Sequence, residues 1–332
     1  MKKKRIIIGI DVSKATLDAF IYNIKHGFIV VNGPRGFAEM LEIICTKANC
    51  KITDLSFCFE NTGKYSKMLS VFLHAHKITF AMVPALEIKK SLGIIRGKND
   101  KVDAQRIALY AFEKGDRLKP TILPGEIIDK IKALLSLREK LIKHRTAYKN
   151  GLTDLSDCYR EGENFTIIDV QQRLINSLDN EIKMIEKQIH QVIKSDPSMF
   201  KNFKLILSVK GVGKILGFYL IAFTANFTLF ATAREFACYC GVAPFGYSSG
   251  TIKGKTRVHH IANKQIKALL NMAAMSVIQT RSEYRDYYNK RINELGKNKM
   301  STLNIVRNKI LFRIFAVVNR QTPYVDLYKY AA

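Results

Sequence analysis

An apolar run that ends in a carboxylate constrains the fold of this chain most strongly. Residues 5–10 read Arg-Ile-Ile-Ile-Gly-Ile and lead directly into Asp11. A continuous run of β-branched residues predicts a strand buried on both faces, as in sheets covered by helices. A second apolar run, residues 55–59, also ends in an acid, and two more acids open a later helical segment. The four acids are Asp11, Glu60, Asp100 and Asp103. Carboxylates arranged in this way can converge on a divalent cation.

The order of predicted elements in the first 120 residues indicates a fold class. Periodicity predicts strands at 5–10, 17–22, 27–31, 55–59 and 78–83, with helices at 37–46, at 65–74 and after residue 84. Three meandering strands followed by alternating helices and strands is the order of the α/β ribonuclease-H-like fold. In that fold the first and fourth strands are neighbours, so Asp11 and Glu60 would share one sheet edge. Asp100 and Asp103 lie three residues apart on one helical face and would cover that edge, although Asp100 is also a plausible helix N-cap.

The charge balance points to a polyanionic partner. The chain has 54 Lys and Arg residues against 28 Asp and Glu residues, a formal net charge of +26. Such an excess favours nucleic acid, because neutralising phosphates releases counterions. A membrane surface is the competing partner, but no apolar run approaches the roughly 20 residues of a spanning helix. We therefore expect a cytoplasmic protein that binds nucleic acid and has no membrane partner.

The middle of the chain differs from both ends in charge and periodicity. Residues 121–200 carry equal numbers of basic and acidic side chains, whereas residues 201–332 carry 21 basic and 5 acidic ones. We therefore divide the chain into domains at 1–120, 121–200 and 201–332. Two amphipathic helices with a polar break at 161–164 make the middle part a helical hairpin or coiled-coil arm. Such an arm can pair protomers into a dimer or tetramer, or it can be a plain antiparallel packing of helices.

A glycine-containing turn opens the mainly helical C-terminal part. Gly211, Gly213 and Lys214 follow one apolar helical segment and precede another. Bare backbone N–H groups in such a turn can approach a phosphate, and Lys214 adds a charge at the next helix N-terminus. This pattern predicts a helix-hairpin-helix-like nucleic-acid element. A simple tight turn between two helices explains the same residues.

A loop rich in glycine and serine follows at residues 240–257. Ser249 precedes Gly250, and three cations follow at Lys253, Lys255 and Arg257. The loop is either a solvated turn or the place where a serine is presented to a phosphodiester whose backbone the cations hold. Two or three basic amphipathic helices complete the chain.

These motifs together resemble a known family. The stretches 9–14, 60–63, 98–104 and 241–250 are similar, in sequence and in order, to those of the DEDD transposases of bacterial insertion sequences, whose relatives include the Piv-type DNA invertases. The resemblance implies a RuvC-like N-terminal domain in which Asp11, Glu60, Asp100 and Asp103 bind Mg²⁺ or Mn²⁺. It further implies that Ser249, with Ser248 beside it, is the nucleophile of a C-terminal transposase domain. Donor DNA, target DNA and a noncoding bridge RNA that guides the enzyme are the implied partners.

The chemistry of these residues agrees with recombination. A serine that attacks a phosphate keeps the bond energy in a covalent protein–DNA link, which allows rejoining without ATP. Two alternatives stay open. A RuvC-like Holliday-junction nuclease would use the acids with water and would not need Ser249, and a non-catalytic nucleic-acid-binding scaffold would leave the acids without a role.

Overall fold

A computed structural model describes residues 5–91, 100–158, 165–246, 248–249, 251–254 and 256–326. The chain forms two compact units, with the boundary between Leu123 and Pro124. The helical segment predicted as a separate middle part lies within the second unit, where it contributes to the same hydrophobic core as the C-terminal helices.

A five-stranded mixed sheet is the centre of the first unit. Its strands are β1 (Ile6–Val12), β2 (Thr16–Ile21), β3 (His26–Val31), β4 (Leu55–Glu60) and β5 (Thr79–Val83). Their order is β3-β2-β1-β4-β5, with the first three antiparallel and β1, β4 and β5 parallel. The sequence prediction that the first and fourth strands are neighbours is confirmed. The α/β class of this unit follows from the sheet and the helices between its strands.

Four helices accompany the sheet. They are α1 (Pro34–Ala48), α2 (Lys64–Ala75), α3 (Ala85–Ser91) and α4 (Asp100–Lys114). Helix α1 begins with a proline, whose fixed φ suits the first helical turn. It buries Phe37, Met40 and Ile44, whose spacing places them on one face. These side chains join the strand residues in one core.

The second unit is mainly helical. Its helices are α5 (Glu126–Cys158), α6 (Phe165–Lys194), α7 (Pro197–Ser208), α8 (Lys214–Thr224), α9 (Ala233–Tyr239), α10 (Lys264–Gln279), α11 (Glu283–Asn289) and α12 (Lys299–Arg320), with a short π-helix at Lys290–Glu294. Its four two-residue strands are β6 (Pro244–Phe245), β7 (Ser248–Ser249), β8 (Ile252–Lys253) and β9 (Arg257–Val258). Helix α8 is apolar around most of its circumference and is buried between its neighbours, as expected for a central core helix. No helix in the described part of the chain is both long and apolar enough to cross a membrane.

Helices α5 and α6 form the antiparallel hairpin that the sequence predicts. Arg138 pairs with Glu186 at 2.7 Å, and Arg145 pairs with Asp179 at 2.6 Å. Farther from the tip, apolar residues such as Ile131 of α5 enter the core of the second unit. The hairpin is therefore continuous with that core at its base and extends away from it toward residues 158 and 165.

Candidate active site

Two of the predicted acids lie side by side at one edge of the sheet. In the parallel ladder between β1 and β4, Ile10 is paired with Phe59. Asp11 and Glu60 are each one residue farther along their strands, so both stand at the carboxyl ends of neighbouring strands. Both residues are half-buried. Carboxyl ends of parallel strands are the usual location of ligands in α/β sheets.

Helix α4 crosses the sheet in direct backbone contact with β1. A Cβ atom added to Gly9 would lie 2.3 Å from the backbone N of Ala108 and 2.4 Å from the carbonyl oxygen of Ala104. No side chain larger than hydrogen fits at this crossing. Side chains two residues apart on a strand share a face, so Asp11 lies on the face of the sheet that α4 covers.

The direction of α4 brings its N-terminus to the edge that carries Asp11. Phe112, near the C-terminal end of α4, stacks on Tyr22 with ring centroids 4.4 Å apart. Tyr22 directly follows β2, whose last residue is paired with Ile8 in the first half of β1. The C-terminal end of α4 therefore lies toward the opposite sheet edge. The first turn of α4, with Asp100 and Asp103, faces the carboxyl ends of β1 and β4.

Among the described side chains, the acids at this edge of the sheet do not form a complete ion site. Asp103 forms an ion pair with Arg106, with 2.7 Å between Oδ1 and Nη1. The side chain of Asp100 lies outside the described residues. Within the described part of the chain, no group of three or more His, Cys, Asp or Glu side chains is close enough to hold a metal ion. The metal assignment of the four acids stays a prediction.

Two further polar residues support this edge and were not among the predicted site residues. Asp18 is directly opposite Asp11 in the β1–β2 ladder and is only 8% exposed. Asn32 donates through Nδ2 to the carbonyl oxygens of Ser13, at 2.8 Å, and Tyr65, at 3.2 Å. It thereby links the turn after β1 to the start of α2, which follows Glu60. The available signal for Asp18 was a carboxylate inside an apolar strand, because an Asp is buried almost only where it has a partner.

The predicted nucleophile lies on a short hairpin in the second unit. In the ladder between β7 and β8, Ser248 is paired with Lys253 and Ser249 with Ile252. Both serines are exposed. Successive strand residues point to opposite faces, so the two hydroxyls lie on opposite sides of the hairpin. A phosphodiester held on one side can be reached by only one of them.

A second ladder, between β6 and β9, forms the base of this hairpin. Arg234 donates to the carbonyl oxygen of Pro244 at 2.8 Å and lies over the ring of Phe245 at 5.3 Å. Arg257, one of the predicted phosphate ligands, is exposed on β9. Lys255 and the side chain of Lys253 lie outside the described residues.

The segment predicted to be a helix-hairpin-helix-like element consists of α7, a tight turn and α8. Gly211 has a φ of +83°, and a Cβ atom there would lie 2.4 Å from Cγ1 of Val277 and 2.8 Å from the carbonyl oxygen of Ala273. Gly211 is therefore required for close packing against α10, which explains it without a ligand. Gly213 and Lys214 are exposed at the start of α8. Their contact with nucleic acid stays a prediction.

The buried thiols are poor candidates for a nucleophile. Burial raises the pKa of Cys58 to about 12, with a smaller contribution from the charge of Glu87. Burial also raises the pKa of Cys240 above the usual range. A thiol must lose its proton to attack, so these two residues favour a structural role.

Comparison with known proteins matches a segment of each unit to a family of transposases. Residues 8–159 match the family model DEDD_Tnp_IS110, described as a transposase, and residues 203–289 match the Transposase IS116/IS110/IS902 family. A pilin gene-inverting protein of Moraxella lacunata is 28% identical over 96% of this chain and 97% of its own length. The transposase of insertion sequence element IS1111A from Coxiella burnetii is 24% identical over 68% of each chain. A 44.8 kDa protein of insertion element IS116 from Streptomyces clavuligerus is 24% identical over 92% of this chain and 93% of its own. The two matched segments include all four acids and Ser249, respectively.

Proposed function

Since the chain belongs to the transposase family of the IS110 and IS116 insertion elements, whose members catalyse DNA strand cleavage and rejoining, we propose that it recombines DNA through a Mg²⁺-dependent acid site and a serine nucleophile. The acids are Asp11, Glu60, Asp100 and Asp103, and the nucleophile is Ser249. The observation that carries the proposal is the common sheet edge of β1, β4 and the first turn of α4. We further propose that the first unit is ribonuclease-H-like and RuvC-like, which its strand order supports.

The donor set suits a hard divalent cation. Carboxylate oxygens are the ligands that Mg²⁺ and Mn²⁺ prefer. Such a cation, when bound, stabilises the charge on the attacking and leaving oxygens of phosphodiester transfer. The close contact of α4 with Gly9, two residues before Asp11, supports a site shared by Asp11 and the first turn of α4. The ion pair with Arg106 holds the carboxylate of Asp103 in the first turn of α4.

The serine supplies the covalent step. The Ser249 oxygen attacks phosphorus, loses its proton and forms a P–O bond as the bond from phosphorus to one DNA oxygen breaks. One end of the broken strand leaves with a free hydroxyl, whose oxygen takes up a proton to balance the one that the serine lost, and the other end of the same strand stays attached to the protein through its phosphate. Attack by a DNA hydroxyl on this phosphoserine ester reverses the chemistry and releases the serine. Exposure of the hairpin gives a DNA strand access to this residue.

Donor DNA, target DNA and a noncoding guide RNA are the proposed partners. The net charge of +26 supports a large phosphate-binding surface. We also propose that the α5–α6 hairpin pairs protomers. Ile167, Val170 and Leu174 on α6 are each at least 39% exposed, and a second copy of the chain would cover them.

The acid site is tested by Glu60→Gln and Asp11→Asn, with Glu42→Gln as the matched control on the exposed side of α1. We expect strand cleavage in Mg²⁺ to fall at least about 100-fold for the first two variants, because each removes a carboxylate that would hold the cation stabilising the charge on the reacting phosphate. Nucleic-acid binding and the control should be nearly unchanged. Full cleavage by Glu60→Gln, or full wild-type cleavage in EDTA, would show that the acids do not hold a required ion.

DNA inversion is a second candidate outcome, favoured by the full-length similarity to a pilin gene-inverting protein. It is tested on a plasmid whose reporter segment lies between inverted copies of the element's ends. Inverted product supports the invertase outcome, whereas insertion into a second plasmid without inversion supports transposition.

A further inference from the structure

A cavity of about 750 Å³ lies at the base of the serine hairpin, between that hairpin and helices α10 and α12. Pro244, Arg257 and Val258 line it from strands β6 and β9, and Lys267 lines it from α10. The remaining wall is one face of α12. The volume of the cavity lies within the range of roughly 300–1,000 Å³ that is typical of ligand-binding pockets.

The charged residues that line this cavity are all cations. They are Arg257, Lys267 and Arg307, and no Asp or Glu is found among the described residues around it. Arg307 is only 6% exposed, and its Nη2 donates to Oδ1 of Asn271. Its buried Nε has no hydrogen-bond partner. Burial lowers the pKa of this guanidinium, and a buried unpaired donor is costly. An anion in the cavity would relieve both effects.

Two asparagines add hydrogen-bond acceptors to the same wall. Asn304 donates through Nδ2 to the carbonyl oxygen of Val242 at 2.8 Å, which fixes the orientation of its amide. Its Oδ1 is buried without a partner, as is Oδ1 of Asn308. A phosphate offers no proton to these oxygens. The complementary ligand must therefore carry N–H or O–H donors in addition to an anionic group.

The remaining surface of the cavity is apolar. Pro244 and Val258 from the hairpin base and Met300 and Ile305 from α12 provide it. A nucleotide combines the three features that this cavity selects: an anionic phosphate, N–H or O–H donors on its base or sugar, and a flat apolar ring. We propose that this cavity binds one nucleotide of a DNA or RNA strand and thereby anchors that strand beside the serine hairpin. The inference deepens the proposed function and rests on it.

Pocket binding is tested with two methionine variants of the full-length protein. Met300 lines the cavity and is 62% exposed, whereas Met272 on α10 is 67% exposed and does not line it. Met300→Glu and Met272→Glu therefore introduce the same charge at equally exposed sites, at little cost to folding. The probes are a fluorescein-labelled single-stranded DNA hexanucleotide and the RNA of the same sequence, and binding is followed by fluorescence anisotropy.

We expect Met300→Glu to weaken binding of at least one probe about tenfold, because a carboxylate replaces part of the apolar wall and adds a negative charge to a cavity that would hold an anion. Met272→Glu should change the affinity by less than about twofold. The probe whose affinity falls in Met300→Glu identifies the bound strand as DNA or RNA. Equal affinities of the two variants for both probes would overturn the pocket and leave the proposed function intact. If the wild-type protein binds neither probe at low salt, the pocket and the nucleic-acid function both fail.

Discussion

Replacing Gly9 with alanine tests whether the β1–α4 crossing holds the acid edge together. The added Cβ atom would lie 2.3 Å and 2.4 Å from two backbone atoms of α4, the N of Ala108 and the O of Ala104. Side chains can rotate away from such contacts, but backbone atoms within a helix cannot. The helix must therefore move off the sheet by more than 1 Å to restore contact distances of roughly 3.5–4 Å.

The size of the effect follows from the packing of α4. Overpacking in a core costs about 1–3 kcal/mol when side chains can adjust. Here the neighbours are backbone atoms, and Ala104, Ile107 and Ala108 of α4 are at most 2% exposed. We expect the free energy of unfolding of Gly9→Ala to fall by about 3 kcal/mol or more. Cleavage should fall further than stability alone explains, because the displaced helix carries Asp100 and Asp103.

Gly27→Ala is the matched control in the same sheet. Its added Cβ atom would lie 3.4 Å from the Cδ2 atom of Phe20 and 3.7 Å from the carbonyl oxygen of Ala19, which are ordinary contact distances, and Gly27 is exposed on β3. Denaturant unfolding should place this variant within about 0.5 kcal/mol of the wild type. Ala108→Gly should not rescue Gly9→Ala, since the obstructing atoms belong to the backbone. If Gly9→Ala unfolds at the same denaturant concentration as Gly27→Ala, α4 does not cross β1 at this distance.

Three other outcomes follow from particular residues. On a denaturing gel, Ser249→Ala should abolish the covalent protein–DNA adduct, whereas Ser248→Ala should keep it. The reverse pattern would assign the nucleophile to Ser248. Adducts in both variants would favour another attacking group. Replacing residues 149–175 by a short turn leaves the base of the hairpin in its core and should convert an oligomer into a monomer in sedimentation, whereas an unchanged oligomer would exclude the tip as the pairing surface. Burial is the main cause that raises the pKa of Tyr219, and the hydrogen bond to Glu139 is the second. The folded state therefore holds this proton more tightly than the unfolded state. The free energy of unfolding should fall as pH rises above about 10, by up to about 1.4 kcal/mol per pH unit. Tyr219→Phe should show a shallower decline over that range, and an equally steep decline would assign the effect to other tyrosines.

The sequence by itself determined the order of strands and helices along the first unit and the two helices of the arm. Local signals suffice for these elements: a β-branched run predicts a buried strand, and apolar residues three and four apart predict a helix face. The chain order then made Asp11 and Glu60 neighbours, because parallel β1 and β4 end at the same edge. The acids could therefore be proposed together before any contact was known.

Only the tertiary structure decided how distant segments meet. Gly9 looks like any strand glycine until α4 is seen to lie on it, and Gly211 fits a phosphate-binding turn until Val277 occupies the space beside it. Arg307 lies in an ordinary basic amphipathic pattern, yet its side chain is buried against a cavity that α10, α12 and the hairpin base enclose. These placements depend on which faces pack together across long stretches of chain. Local propensity carries no information about that choice, because it reflects each segment's own backbone and side chains rather than its eventual neighbours.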